Sequence, residues 1–427
     1  MKKKLLIAAG LIVVAAGIIS TQLRPDDTLP SAEIPTKKLP SPNGYDFYVR
    51  AGKSLTTAPK DLDAILDSQN LPEADWKTAY PIAKKEAWLA QNAGALKTMR
   101  QGFHYSAQVP PKYSGDGFAN THFAKFRSLA RALVVESRVR SERGNWGAAA
   151  QSATDILKLS HGIARGGVQI DALSAGAIES LGWGELARIR PHLNSDEATV
   201  TAKAMENLFK KREKHVEILQ NEKYTGQALL LEAMKQPNWQ NIAIEESSLG
   251  ANLLQRWQMR TTSRKAVFQN YSSYMDALIS NAKKPYNKQI QAPPAPQDFY
   301  NRTLGQAFNA AYMVSSRQET RNTLAFVAMA LHAYKLYHNR YPENLSDLTP
   351  RYLQEIPADP FGGGKPLRYR HSGDKYLLYS VGPDGKDDGG ADLIIDKEKL
   401  QKSKDLSELI QAKGDMAIGS HWKNQRW

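Results

Sequence analysis

The chain has 427 residues, 41% hydrophobic and 23% charged, with a formal net charge of +14 and no cysteine. That length exceeds one ordinary core and points to two domains plus connectors. The missing cysteine excludes disulfides, thiolate catalysis, zinc–thiolate sites and lipoprotein acylation together. The positive charge is unevenly spread. Residues 343–399 hold 8 basic and 11 acidic side chains, a net −3, which leaves +17 on the remainder. No RNA- or DNA-binding motif accompanies the basic stretches, so nucleic acid is not expected as a partner. A solvated basic face, or attraction to anionic lipid, accounts for them.

In chain order, Met1-Lys-Lys-Lys4 precedes an apolar run from Leu5 to Ile19, the pattern of an export signal. Fifteen helical residues reach roughly 22 Å, so an uncleaved anchor needs Ser20 to Leu23 as well. Residues 1–23 are therefore read as a signal or membrane anchor, with a cleaved signal as the alternative. Either way the body is exported to the cell envelope: held at the inner membrane with its bulk in the periplasm, or free in the periplasm after cleavage. Residues 24–44 carry Pro25, Pro30, Pro35, Pro40 and Pro42 and read as an extended tether that stands the body off the bilayer.

Residues 45–282 read as a helical domain, with apolar positions recurring at spacings of three and four. In its clearest part, Phe126, Leu129, Ala130, Leu133 and Val134 form one stripe that stops near Arg143-Gly144. Asn145-Trp146 then opens a second helix with Ala149, Ala153, Ile156, Leu157 and Leu159 on its apolar face. Glycine after a last turn and asparagine before a first one are stop and start signals. This hairpin is similar to a tetratricopeptide unit, but no repeat of ~34 residues flanks it. An irregular bundle and a short solenoid both remain open.

Residues 283–302 form a second proline-rich linker, and residues 303–400 an α+β module. A long helix from Thr303 to His338 has a stripe of Leu324, Val327, Leu331 and Tyr334 continuing through Leu336 and Tyr337, and Pro342 ends it. Leu367–Arg370 and Tyr376–Tyr379 read as strands of a hairpin around His371-Ser-Gly-Asp-Lys375. The long helix covers the apolar face of that small antiparallel sheet. Residues 401–427 read as a C-terminal tail without a motif. The predicted fold is thus a mainly α helical-hairpin domain followed by a long helix packed on a small antiparallel sheet.

Four motifs in the module occur in a fixed order: Ala333-Tyr-Lys335 with Asn339-Arg-Tyr-Pro342, Ile356-Pro-Ala-Asp-Pro-Phe361, Leu367-Arg-Tyr369, and Tyr379-Ser-Val-Gly-Pro-Asp-Gly385. Together they resemble the globular domain of the major pseudopilin of the type II secretion system, over about 70 residues. The resemblance implies a module that binds calcium and protein surfaces and catalyses nothing. It also implies calcium ligands in the loop after the last strand, where Asp384 and Asp392 match the family carboxylates. Asp387 and Asp388 are further candidates, because clustered aspartates on a glycine-flexed loop can wrap hard oxygens round one ion. Read as ending at Asp392, this loop is shorter than the family's. The N-terminus also departs from the family: no Glu precedes Glu33, so the segment that packs into a pilus is missing.

Catalytic motifs are absent. The nine histidines include no His-Glu-x-x-His, Ser174 has Ala172 where a nucleophile elbow needs glycine, and Gly362-Gly-Gly-Lys365 lacks the spacing of a phosphate loop. Trp76, Trp88, Trp146, Trp183 and Trp239 are expected in packing roles. The expected function is a non-enzymatic, exported envelope protein acting in protein interaction or assembly, with a calcium-stabilised loop and a partner in secretion or pilus-like machinery. Two alternatives stand beside it: an exported enzyme whose catalytic groups converge from distant helices, and a helical protein holding a hydrophobic ligand. A His–carboxylate pair in a deep cleft would favour the first, and a dry apolar tunnel the second.

Overall fold

A computed structural model describes residues 27–67, 76, 79–111, 122–236, 239, 262–284, 293, 294, 296, 299–391 and 414–419, with backbone only for 299–313. The apolar run Leu5–Ile19 and Asp392 lie outside these residues. Among the described residues no helix is long and apolar enough to cross a membrane. They are mainly helical, with one small antiparallel sheet.

The helical part begins with α1 (Gly44–Ser54), α2 (Lys60–Asp67), α3 (Ile82–Gln91) and α4 (Ala93–Gly102). The predicted hairpin follows as α5 (Phe123–Glu142) and α6 (Trp146–Ala164). Its turn works as its residues suggest. Gly144 adopts φ +74°, where a Cβ would be strained, and the Asn145 side chain accepts from the Ala148 N–H. All ten stripe positions named from the sequence are buried.

Next come α7 (Gln169–Ile189), α8 (Ser195–Lys210) and α9 (His215–Met234). The α6–α7 contact is close because α7 offers Gly182. A Cβ there would sit 2.7 Å from Leu157 and 3.1 Å from the Ala153 carbonyl. Further on, α10 (Arg264–Ala282) packs on α9. The spine helix α11 (Phe299–His338) ends before Pro342, with Asn339 at φ 57°.

The sheet has order β1-β2-β3, with β1 Arg368–Ser372, β2 Lys375–Ser380 and β3 Met416–Gly419. Its hairpin is tighter than expected. Ser372 pairs with Lys375, so only Gly373 and Asp374 make the turn, with Gly373 at φ 55°. The third strand is a correction. Residues 416–419, read from sequence as part of a tail, pair antiparallel with β2 (Leu378 opposite Ile418), and Met416, Ala417 and Ile418 are buried. Four residues that pair with a strand far back along the chain leave no local periodic signal.

One hydrophobic core joins α6, α7 and α8 to α11 and the sheet. It runs from Ala149, Leu157, Trp183 and Met205 through Leu324, Val327 and Leu331 to Leu378 and Ile418. The predicted stripe on α11 is buried as far as Tyr334, but Leu336 and Tyr337 are exposed, and the Arg351 guanidinium lies 3.7 Å over the Tyr337 ring. Leu336, two residues after Tyr334, falls on another face of a 3.6-residue helix, whereas Tyr337, three residues on, lies in the last turn of α11. A second core lies among α1, α4, α5 and α6.

Polar groups weld the helices to the sheet region. Glu206 on α8 is buried and accepts from the N–H groups of Gln354 (2.9 Å) and Glu355 (3.2 Å). The Arg190 guanidinium donates to the Tyr376 hydroxyl at 3.2 Å. The proline-rich stretch also differs from expectation. Its described residues up to Asn43 form no helix or strand, as predicted, yet they are bonded to the body. The Lys37 ammonium donates to Asn221 (3.2 Å) and to the Gly166 carbonyl (3.3 Å), and Arg264 grips Asp27. Among the five tryptophans named from the sequence, Trp76, Trp88, Trp183 and Trp239 are core residues, and Trp146 stacks on His192 at 3.9 Å.

Burial lowers the pKa of His332 on α11 and of His215 on α9 from 6.5 to about 4, with Arg190 and Arg212 adding to the effect. Both are neutral in the fold, so on acidification the unfolded chain takes up protons first. Stability present above pH 6.5 is therefore lost as pH falls from 6.5 towards 4, by up to about 1.4 kcal/mol per pH unit for each group. Replacing His332 by Gln should flatten the acid limb of a stability-versus-pH curve from denaturant melts. An unchanged slope would refute the assignment.

Candidate metal loop and neighbouring carboxylates

After β2 the chain enters a loop turned by glycines at positive φ: Gly382, Gly385, Gly389 and Gly390. The loop read from the sequence ends at Asp392, outside the described residues, which resume at Gly414-Asp415 just before β3. Gly382 and Gly414 meet closely, because a Cβ on Gly382 would stand 2.1 Å from the Gly414 carbonyl oxygen.

The start of the loop is fixed by a carboxylate on another turn. Asp359, buried in the Ile-Pro-Ala-Asp-Pro-Phe motif, accepts at Oδ1 from the Phe361 N–H (3.0 Å) and the Ser380 hydroxyl (2.5 Å), and at Oδ2 from the Val381 N–H (3.0 Å). Burial raises its pKa even though these donors oppose the shift. Glycines in Gly362-Gly-Gly-Lys365 serve this turn, where Gly363 and Gly364 take positive φ and the Lys365 carbonyl accepts from the Asp359 N–H at 2.7 Å. Two motifs twenty residues apart in the sequence are one hydrogen-bonded unit.

The described candidates divide by role. Asp387 is engaged: its carboxylate accepts from Tyr379 (3.0 Å), from the Gly389 N–H (3.1 Å) and from Arg368 (3.1 Å). The Gly389 amide, chiefly, together with Arg368 holds it below the usual carboxylate range. Asp384 accepts from the Lys386 N–H at 3.1 Å and is half-buried. Asp388 acts through its backbone amide and its charge on the residue that sequence reasoning missed, Asp415.

Asp415 is fully buried at the foot of β3. Its N–H donates to the Ala391 carbonyl (2.7 Å) and its Oδ2 accepts from the Gly390 N–H (2.6 Å), fastening β3 to the aspartate loop. Its Oδ1 has no hydrogen-bond partner. Burial raises its pKa, the backbone amides of Gly390 and Asp388 oppose the shift, and the negative charges of Asp387 and Asp388 add to it. A buried carboxylate oxygen without a donor, next to like charges, is costly unless a cation or a proton reaches it. The only sequence hint was the Gly-Asp pair before a short apolar run.

Among the described residues no three His, Cys, Asp or Glu side chains stand close enough together to hold a metal ion. The donor chemistry nevertheless suits calcium, a hard ion that takes carboxylate and backbone oxygens. Asp415 and Asp388 would contribute, with loop carbonyls, while Asp387 would first have to leave Arg368.

A His–carboxylate pair exists elsewhere. His161 on α6 lies 3.3 Å from Glu179 on α7, and Glu179 also accepts from Asn322 (2.7 Å) and Gln318 (2.8 Å) of α11. Burial opposes ionisation of Glu179, but Arg212, His161 and Gln318 outweigh it and hold the carboxyl below its usual range. Burial lowers the pKa of His161. The adjoining cavity is about 30 Å³, room for one or two waters rather than a substrate. A larger cleft of about 660 Å³ lies where the α8–α9 turn, α11 and residues 355–358 meet, and Glu206, Lys210, Arg212 and Glu213 make its wall charged. It is not a dry apolar tunnel.

No protein-family model matches the chain, and neither a curated protein nor a solved structure is significantly similar to it.

Proposed function

We propose that this chain is a non-catalytic, exported component of the cell envelope. In this reading its C-terminal sheet and aspartate loop, stiffened by calcium, present a surface to another polypeptide. One observation carries it: the buried, unpartnered Oδ1 of Asp415 beside Asp387 and Asp388 at the junction of loop and β3. The resemblance of the four ordered motifs to the type II secretion pseudopilin suggests secretion or pilus-like machinery as the partner class. The long helix over a small antiparallel sheet agrees with that resemblance. Bound calcium would neutralise Asp415 and tie residues 382–391 to the start of β3. The chain's own residues supply the rest: Asp359 fixes where the loop starts, and Gly382 lets Gly414 approach.

The first test is thermal unfolding of metal-stripped protein. Calcium should raise the melting temperature, by the equivalent of about 2.7 kcal/mol when its free concentration is a hundredfold above Kd. Asp415→Asn should abolish the shift, while magnesium should do little because it demands a tighter octahedron. No shift with millimolar calcium would remove the metal from the proposal. The second test is recovery of the partner from detergent-solubilised envelopes with and without chelator. Capture of the same polypeptide in both conditions would separate the interaction from the ion.

A further inference from the structure

The first described residues are not free of the body. The Asp27 carboxylate accepts from the backbone N–H of Arg264 at 2.8 Å and from its guanidinium at 2.6 Å. Arg264 opens α10, so Asp27 satisfies an N-terminal amide of that helix at the end where its dipole favours negative charge. The guanidinium also donates to the Met234 carbonyl (3.0 Å) and lies 5.7 Å over the Trp239 ring. Ala32 packs on the same small core of Met234, Trp239, Val267 and Phe268. Lys37 and Asn43 then fasten the strand further along. Residues 27–43 form a strap whose N-terminal end is pinned to the start of α10.

That pin limits where the body can stand. This inference rests on the anchor reading of the apolar run, with Leu23 as its last residue. Four residue steps separate Leu23 from Asp27, at most about 14 Å even when fully extended. The headgroup layer beyond the hydrocarbon takes up roughly 5–7 Å of that. We infer that the end of the body formed by Asp27, the first turn of α10 and the last turn of α9 lies against the lipid headgroups. Lys265 brings positive charge, the sign an anionic bilayer attracts, to that end, where Lys235 is paired with Glu232. The opposite end of α10 acts as a ruler. Its 19 residues span about 28 Å, and Ala282 and Lys283 line the cleft beside Glu355, Pro357 and Ala358. That cleft therefore lies at the end of α10 opposite the membrane contact.

The absence of cysteine makes the test direct, since one substitution gives one labelled site. Full-length Lys235→Cys and Glu355→Cys chains, each carrying a fluorophore, are reconstituted into vesicles of phosphatidylglycerol and phosphatidylethanolamine containing a nitroxide-headgroup lipid. The label at 235 should be quenched several-fold more strongly than the label at 355. Asp27→Arg should even out the two, and adding Arg264→Asp should restore the difference. Chains that float with vesicles yet show equal or reversed quenching overturn the orientation and leave the anchor standing. Chains that do not float at all overturn the anchor and this inference with it. If Asp27→Arg fails to fold, the comparison of the two labels alone still decides.

Discussion

Replacing Glu179 by alanine is expected to cost about 3–5 kcal/mol, the range seen when one member of a buried charged network is removed. Glu179 is 2% exposed and serves three elements at once: His161 on α6, the Arg212 turn after α8, and Gln318 with Asn322 on α11. Asn322 in turn accepts from the Trp183 indole N–H at 2.7 Å. Deleting the carboxylate strands the Asn322 and Gln318 amide donors inside the core that joins the helices to the sheet. Glu179→Gln keeps one acceptor oxygen and should lose less. Denaturant melts give the magnitude. Hydrogen exchange should show α7 and the 316–331 part of α11 losing protection together, and loss in α7 alone would mean the network does not couple them. The same experiment bears on catalysis, because a structural pair predicts a stability loss and no reaction to abolish.

Asp359→Ala is expected to have a comparable effect, about 3–5 kcal/mol, at a different place. Its carboxylate receives three donors, and removing it leaves the Phe361 and Val381 amides buried without acceptors, each costing about 1–3 kcal/mol. Asp359→Asn retains one acceptor and should cost roughly half as much. The loss should be concentrated at the start of the aspartate loop, read as faster amide exchange at Val381 and Gly382. Any calcium-induced stabilisation should weaken with it, since the loop would no longer begin from a fixed point. An Asp359→Ala protein with wild-type stability and exchange would show that the two motifs are neighbours without being coupled.

Much of this fold was legible locally. The hairpin of α5 and α6 follows from a 3.6-residue apolar period interrupted by Gly144 and Asn145, and both residues act through their own backbone and nearest turn. The β1–β2 hairpin and the end of the spine helix before Pro342 are likewise set by short-range sterics. The third strand was not legible. Met416–Gly419 is too short to show a period, and its assignment depends on a pairing partner distant in the chain.

The aspartates divide the same way. The family resemblance marked Asp384, and the clustered aspartates on a glycine-flexed loop marked Asp387 and Asp388, as candidate ligands. Neither could indicate that Asp387 is spent on Arg368 and Tyr379, or that Asp415 arrives from β3 with a buried oxygen left over. Nor could the sequence show that Asp359 links two motifs, that Glu179 binds α7 to α11, or that the proline-rich stretch is strapped down at Asp27 and Lys37. Periods, caps and turns are properties of neighbouring residues, so the sequence alone determined the helices, the hairpin and the acidic loop. Burial and hydrogen-bond partnership depend on residues far apart in the chain, so only the tertiary structure decided which carboxylates are structural and which one lacks a partner.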